Sequence, residues 1–198
     1  MRTDQDKKNR SDKVRERQQP YEGESNPFIE ERYEIINNVR FDLKPAPTVN
    51  HQRLVGDLHH MMKTTCNQNG VILVSPIDVY LDEENRFQPD LVFISNENQD
   101  IIKEVRIEGA PDLVAEVLSL STSANDKILK KDQYERFGVK EYWIVDPVHL
   151  TLDQFVLENG KYQLYKTYAT EGTLTSPILS CIKIDMHKLF EPLIQSKN

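Results

Sequence analysis

The reading of the chain turns on "GAPDLVAEVLS", residues 109–119, where an apolar run carries a glutamate at its centre. Glu116 shares strand parity with Val114 and Leu118, while Ala115 and Val117 point the other way. Both faces are apolar, so the segment reads as a strand buried on two sides with a carboxylate inside it. A buried carboxylate without a partner is costly, so Glu116 demands a cation, a base or strong hydrogen bonds. Two Pro-Asp pairs offer a second acid: Asp112 in the same stretch, and Asp90 in "FQPDLVFIS". Four residues along a strand span about 13 Å. Two carboxylates that share a cation must bring their oxygens within about 3–4 Å. Asp112 is therefore too far from Glu116, whereas Asp90 reaches it if their strands are sheet neighbours.

Working outward, "TSANDKILKKDQYERFGVKEYWIVDP" follows as a helix stopped at Gly138 and then a strand. Lys130, Tyr134 and Phe137 fall at i, i+4 and i+7, one stripe facing the sheet. Lys130 thus points back over the strand of Glu116. Asp126, four residues earlier, is placed to pair with Lys130 on the helix, and a snorkelling lysine is the plainer reading. Upstream, Val55, Leu58 and Met62 give a first helix that ends at Asn69-Gly70, with His51 on the same face. Strands are expected at "VILVS", "IDVYLD" and "FQPDLVFIS", and a hairpin at "LDQFVLENGKYQLYKTY" around Asn159-Gly160. The chain closes with a strand and a helix capped by Asp185. A helix, a run of strands, a helix and further strands imply an α/β chain of mixed α+β type. Its mixed sheet is flanked by helices, with 112–146 as a crossover between parallel strands.

The bulk numbers suit a folded domain. The chain has 198 residues, 38% hydrophobic and 29% charged. The reading is a disordered tail over 1–26, one domain over 27–194 and a short tail over 195–198. Residues 1–20 carry +3 and the remainder −10, so the tail reads as a solvated leader or a weakly basic arm. No run approaches a membrane span, and no secretory signal opens the chain. Cys66 and Cys181 give no framework or metal-ligand spacing, and both are expected reduced, in a cytoplasm.

The quoted pieces "YEIINN", "PAPTVNHQRLVGDL", "FQPDLVF", "GAPDLVAEVLSLST", "DKILKKDQY" and "GVKEYWIVDP" together resemble the Uma2 family of endonucleases. That family belongs to the restriction-endonuclease-like group with the PD-(D/E)XK signature. The resemblance covers roughly residues 30–190 and implies a restriction-endonuclease-like core, with the hairpin as an addition to it. It implies Asp90 and Glu116 as the signature acids holding Mg²⁺ or Mn²⁺, and Lys130 as the lysine. The parent pattern puts lysine two after the acid; here that position is Leu118, and Lys130 matches a relocated lysine on the next helix. Glu34 and His51 are accessory candidates, against a solvated glutamate and a satisfied half-buried histidine. The implied activity is metal-dependent hydrolysis of DNA phosphodiesters by a homodimer with no membrane partner. The acidic folded part keeps open an alternative, a non-catalytic module on the same fold that binds nucleic acid or protein. A purely structural Glu–Lys pair is the plainest third reading.

Overall fold

Leu91–Ser95 and Leu113–Val117 are buried along their whole length and lie side by side at the centre of the protein. The computed structural model describes residues 19–20, 32–43, 47–119 and 123–195. In chain order the strands are β1 (Gln19–Pro20), β2 (Tyr33–Ile36), β3 (Val39–Asp42), β4 (Gly70–Val74), β5 (Val79–Tyr80), β6 (Arg86–Phe87), β7 (Leu91–Ser95), β8 (Ile107–Glu108), β9 (Leu113–Val117), β10 (Glu141–Asp146), β11 (Thr151–Glu158), β12 (Lys161–Tyr168), β13 (Thr173–Thr175) and β14 (Lys183–Asp185). The helices are α1 (Val49–Cys66), α2 (Lys131–Arg136) and α3 (Met186–Gln195), and a π-helical turn, Asn125–Lys130, runs directly into α2.

The central sheet has the order β12-β11-β10-β9-β7-β4, and β9 and β10 are its parallel pair. That pairing is the crossover expected over 112–146. The hairpin β11–β12 extends this sheet, turning at Asn159 and Gly160 with φ of 51° and 76°. The second sheet, β1-β3-β2-β6-β5-β8, begins with a hairpin whose turn residues Asn37 and Asn38 have φ of 51° and 60°, a region asparagine tolerates. Of the tail read over 1–26, Gln19–Pro20 is described, as β1 paired with Val39 and Arg40.

Two apolar layers cover the central sheet. On one face, Leu91, Phe93, Leu113, Ala115, Val117 and Trp143 pack against α1 and α3. On the other, Val92, Ile94, Val114, Tyr142 and Ile144 meet Tyr134 of α2 and the second sheet. Strand alternation assigns Glu116 and Asp90 to this second face, between the two sheets.

The stretch expected as one strand, "FQPDLVFIS", is two. Pro89 has no N–H for a ladder, and β6 joins the second sheet while β7 joins the central one. Gln88–Asp90 therefore bridge the layers. Gly70 opens β4 because a Cβ there would lie 2.2 Å from the Ile94 carbonyl oxygen across the ladder. The structure also corrects the cysteines. Cys66 and Cys181 form a disulfide, since α1 delivers Cys66 against the segment leading into β14, where the Cα atoms are 5.1 Å apart. Sequence spacing could not show this, because 115 residues separate the two. Breaking this bond by Cys181→Ser or by reductant is expected to lower unfolding free energy by about 2–4 kcal/mol, read from urea midpoints. Unreduced protein unfolded in urea is expected to show no titratable thiol.

Candidate active site

The register of β7 and β9 pairs Leu91 with Ala115, and one step further sets Asp90 across from Glu116. Side chains continue the ladder there. The Val117 N–H donates to Asp90 Oδ2 at 2.8 Å, and the Asp90 N–H points at Glu116 Oε2 at 3.4 Å. His51, in the first turn of α1, brings Nε2 to 3.1 Å from Asp90 Oδ2. The α1 cap fixes that turn, with Thr48 Oγ1 accepting the His51 N–H. Asp90 thus receives ties from the central sheet and from α1, and its side chain remains 17% exposed.

Glu116 is only 2% exposed, and its Oε1 faces inward. It accepts from Lys130 Nζ at 3.2 Å and from the Tyr134 hydroxyl at 3.0 Å. The ammonium is shared further: Glu34 Oε1 lies at 2.8 Å and Asp126 Oδ1 at 3.0 Å. Asp126 Oδ1 sits at ion-pair distance yet outside hydrogen-bond alignment, so it stays unsatisfied as an acceptor. Glu34 comes from β2 and also accepts the Gln88 N–H at 2.9 Å, two residues before Asp90. Three layers therefore meet on Lys130: the second sheet through Glu34, the central sheet through Glu116, and the crossover helix through Asp126.

One cation among three buried carboxylates leaves a surplus of negative charge. Burial raises the Glu116 carboxyl well above its usual range; Lys130 opposes this, while Asp126, Asp90 and Glu34 push it further up. Burial likewise raises Glu34, with Lys130 again opposing. Burial alone would discharge Lys130, but Asp126, Glu116 and Glu34 outweigh it and hold the ammonium well above the ordinary lysine value. The Tyr134 hydroxyl is raised well above its own by burial and by Glu116, so it remains a donor.

All five residues named from the sequence, Asp90, Glu116, Lys130, Glu34 and His51, fall in this one cluster. Glu34 is buried rather than solvated, at 2% exposed. His51 is buried rather than half-buried, at 6% exposed, and only half satisfied, because its Nδ1 has no hydrogen-bond partner among the described residues. Asp126 was legible only as a helix-surface partner of Lys130, and the hydroxyl of Tyr134 gave no signal beyond its place on the stripe. Asp112 stands apart at the other end of β9. It accepts from the Ser95 N–H, Asn98 Nδ2 and Lys140 Nζ, and these donors hold its carboxyl below the usual range despite burial.

Among the described residues, no group of three or more His, Cys, Asp or Glu side chains is arranged to hold a metal. Asp90 and Glu116 form a two-carboxylate, all-oxygen set, the kind that Mg²⁺ or Mn²⁺ accepts when waters supply its other ligands. Asp90 Oδ1 has no donor among the described residues, and the surplus negative charge behind it favours a cation. The residues fit such an ion.

An α+β core whose mixed sheets are flanked by helices thus carries an acidic pair on adjacent strands and a lysine from the following helix. The model of the Uma2 family, described as "Putative restriction endonuclease", matches residues 26–187, and the chain belongs to this family. That family description points to nucleic acid as the class of substrate. A solved structure titled as a putative nuclease belonging to DUF820, from Anabaena variabilis ATCC 29413, shares the fold. It has a TM-score of 0.69 and 15% identity, over 85% of this chain and 94% of that one. No curated protein matches. Among the described residues, no helix is long and apolar enough to cross a membrane.

Because burial raises the pKa of Glu34 and Glu116, their ionisation opposes folding. Their contribution to stability is greatest below the unfolded value near 4.5 and is lost as pH rises from there toward their raised values. Glu116→Gln is therefore expected to be at least as stable as the parent at neutral pH. Its advantage should grow as pH increases above 4.5 in urea titrations.

Proposed function

We propose that the chain is a metal-dependent endonuclease that hydrolyses phosphodiester bonds in DNA, with Asp90, Glu116 and Lys130 as its working residues. One observation carries the reading: Asp90 and Glu116 oppose each other across β7 and β9, while Lys130 engages the inner oxygen of Glu116. Mg²⁺ or Mn²⁺ held by Asp90 and Glu116 would lower the pKa of a bound water and stabilise charge on the phosphate.

The protein's own residues divide the remaining work. Asp90 is the partly exposed acid of the pair, its side chain 17% exposed. His51 and the Val117 N–H fix its Oδ2, and Oδ1 has no donor among the described residues. Lys130 stays an ammonium and adds fixed positive charge behind Glu116, where it favours the charge that develops on phosphoryl oxygens. It is not a base, since three carboxylates hold its proton. Glu34 holds Lys130 from the second sheet and ties the Gln88 backbone to the same point. Cutting both strands of a duplex needs two such sites, which supports a homodimer.

A second reading, a binding module without catalysis, draws support from the net charge of −7 and from the sequestration of Lys130, 3% exposed. A cleavage assay separates the two. Supercoiled plasmid, single-stranded DNA and RNA are each incubated with Mg²⁺, Mn²⁺ or EDTA. The parent is compared with Asp90→Ala, Glu116→Gln, Lys130→Met and Asp112→Asn. Metal-dependent DNA cleavage is expected, retained in Asp112→Asn and reduced on the order of 100-fold or more in the other three. Cleavage that is alike in all five proteins would sink the nuclease reading and favour the binding module.

A further inference from the structure

The two oxygens of Glu116 are not equivalent. Oε1 receives two donors, Lys130 Nζ and the Tyr134 hydroxyl, while Oε2 is turned toward Asp90. Lys130 alone does not impose this, because it is shared with Glu34 and Asp126 and follows their combined pull. Tyr134 has no such freedom. Its ring is fully buried and wedged between Phe87 and Tyr142, with centroids 5.1 and 5.2 Å away. The Tyr142 hydroxyl in turn donates to the Asp126 carbonyl at 2.9 Å, anchoring the π-helical turn that runs into α2, the helix from which Tyr134 projects. The hydroxyl of Tyr134 is thus the rigid donor of the pair.

We infer that Tyr134 is a positioning residue that fixes which oxygen Glu116 offers to a cation. It rests on the reading of Asp90 and Glu116 as metal ligands. Without the hydroxyl, Glu116 is free to rotate and present both oxygens to the Lys130 ammonium, in competition with the ion. Partners that orient a ligating carboxylate typically change metal affinity by about 10–100-fold.

The test compares the full-length parent, Tyr134→Phe and Tyr162→Phe. Mn²⁺ alone is titrated into each, free ion is followed by electron paramagnetic resonance, and melting temperature is recorded alongside. Tyr162→Phe removes a hydroxyl from the same aromatic cluster, but one bonded to the Val139 carbonyl, away from Glu116 and the π-helical turn. Tyr134→Phe is expected to bind Mn²⁺ about tenfold more weakly, with Tyr162→Phe unchanged. Any cleavage defect of Tyr134→Phe should be restored by raising Mn²⁺, which a merely structural defect would not allow. Equal Mn²⁺ affinity in the parent and Tyr134→Phe, or equal weakening in both variants, overturns the inference while leaving the ligand assignment intact. A parent that binds no Mn²⁺ overturns the ligand assignment and the inference with it.

Discussion

A single buried ammonium organises this protein. Lys130 sits where the central sheet, the second sheet and the crossover helix meet, and it is the shared cation of one carboxylate from each. Removing that ammonium would leave three buried carboxylates without their shared cation, a loss that typically costs about 3–5 kcal/mol. Here the compensation is incomplete even when every partner is present. The layers are held together electrostatically, and the same arrangement leaves Asp90 and Glu116 with negative charge not yet neutralised.

The contrast with the other buried carboxylates is instructive. Asp112 accepts from a backbone amide, an asparagine and a lysine, and Glu141 accepts from Trp143, Gln154 and Ser176. Each is surrounded by donors aimed at its oxygens and serves to pin local structure. Glu116 instead looks toward other acids. Side chains of one chemical class thus divide into structural and chemically poised groups by whether their donors are shared with other acids, as Lys130 is here.

Much of this was legible in the sequence. The apolar residues on both sides of Glu116 forced its burial, and strand rise alone separated it from Asp112. Helical spacing put Lys130 over Glu116, and the parallel crossover followed from the order of elements. What escaped was tertiary. No local pattern shows that Glu34, in a four-residue strand far upstream, ends beside Lys130, or that Asp126 is buried with it. The π-helical turn at 125–130 has no periodic signature distinct from the helix it enters. The link between Cys66 and Cys181 depends on how α1 docks against the final strand and helix, which spacing cannot report.

The three residues Gln88–Asp90 run between strands of two different sheets, and each end of this bridge is tethered. The Gln88 amide is held by Glu34, and the Asp90 carboxylate is held by the β9 backbone. Such a span has no slack. An added residue would displace the acid by a strand step of about 3.3 Å and turn its side chain to the opposite face. Insertions and deletions among relatives should therefore be excluded from this bridge and accumulate at turns such as Asn159–Gly160, where length can change without moving any member of the cluster.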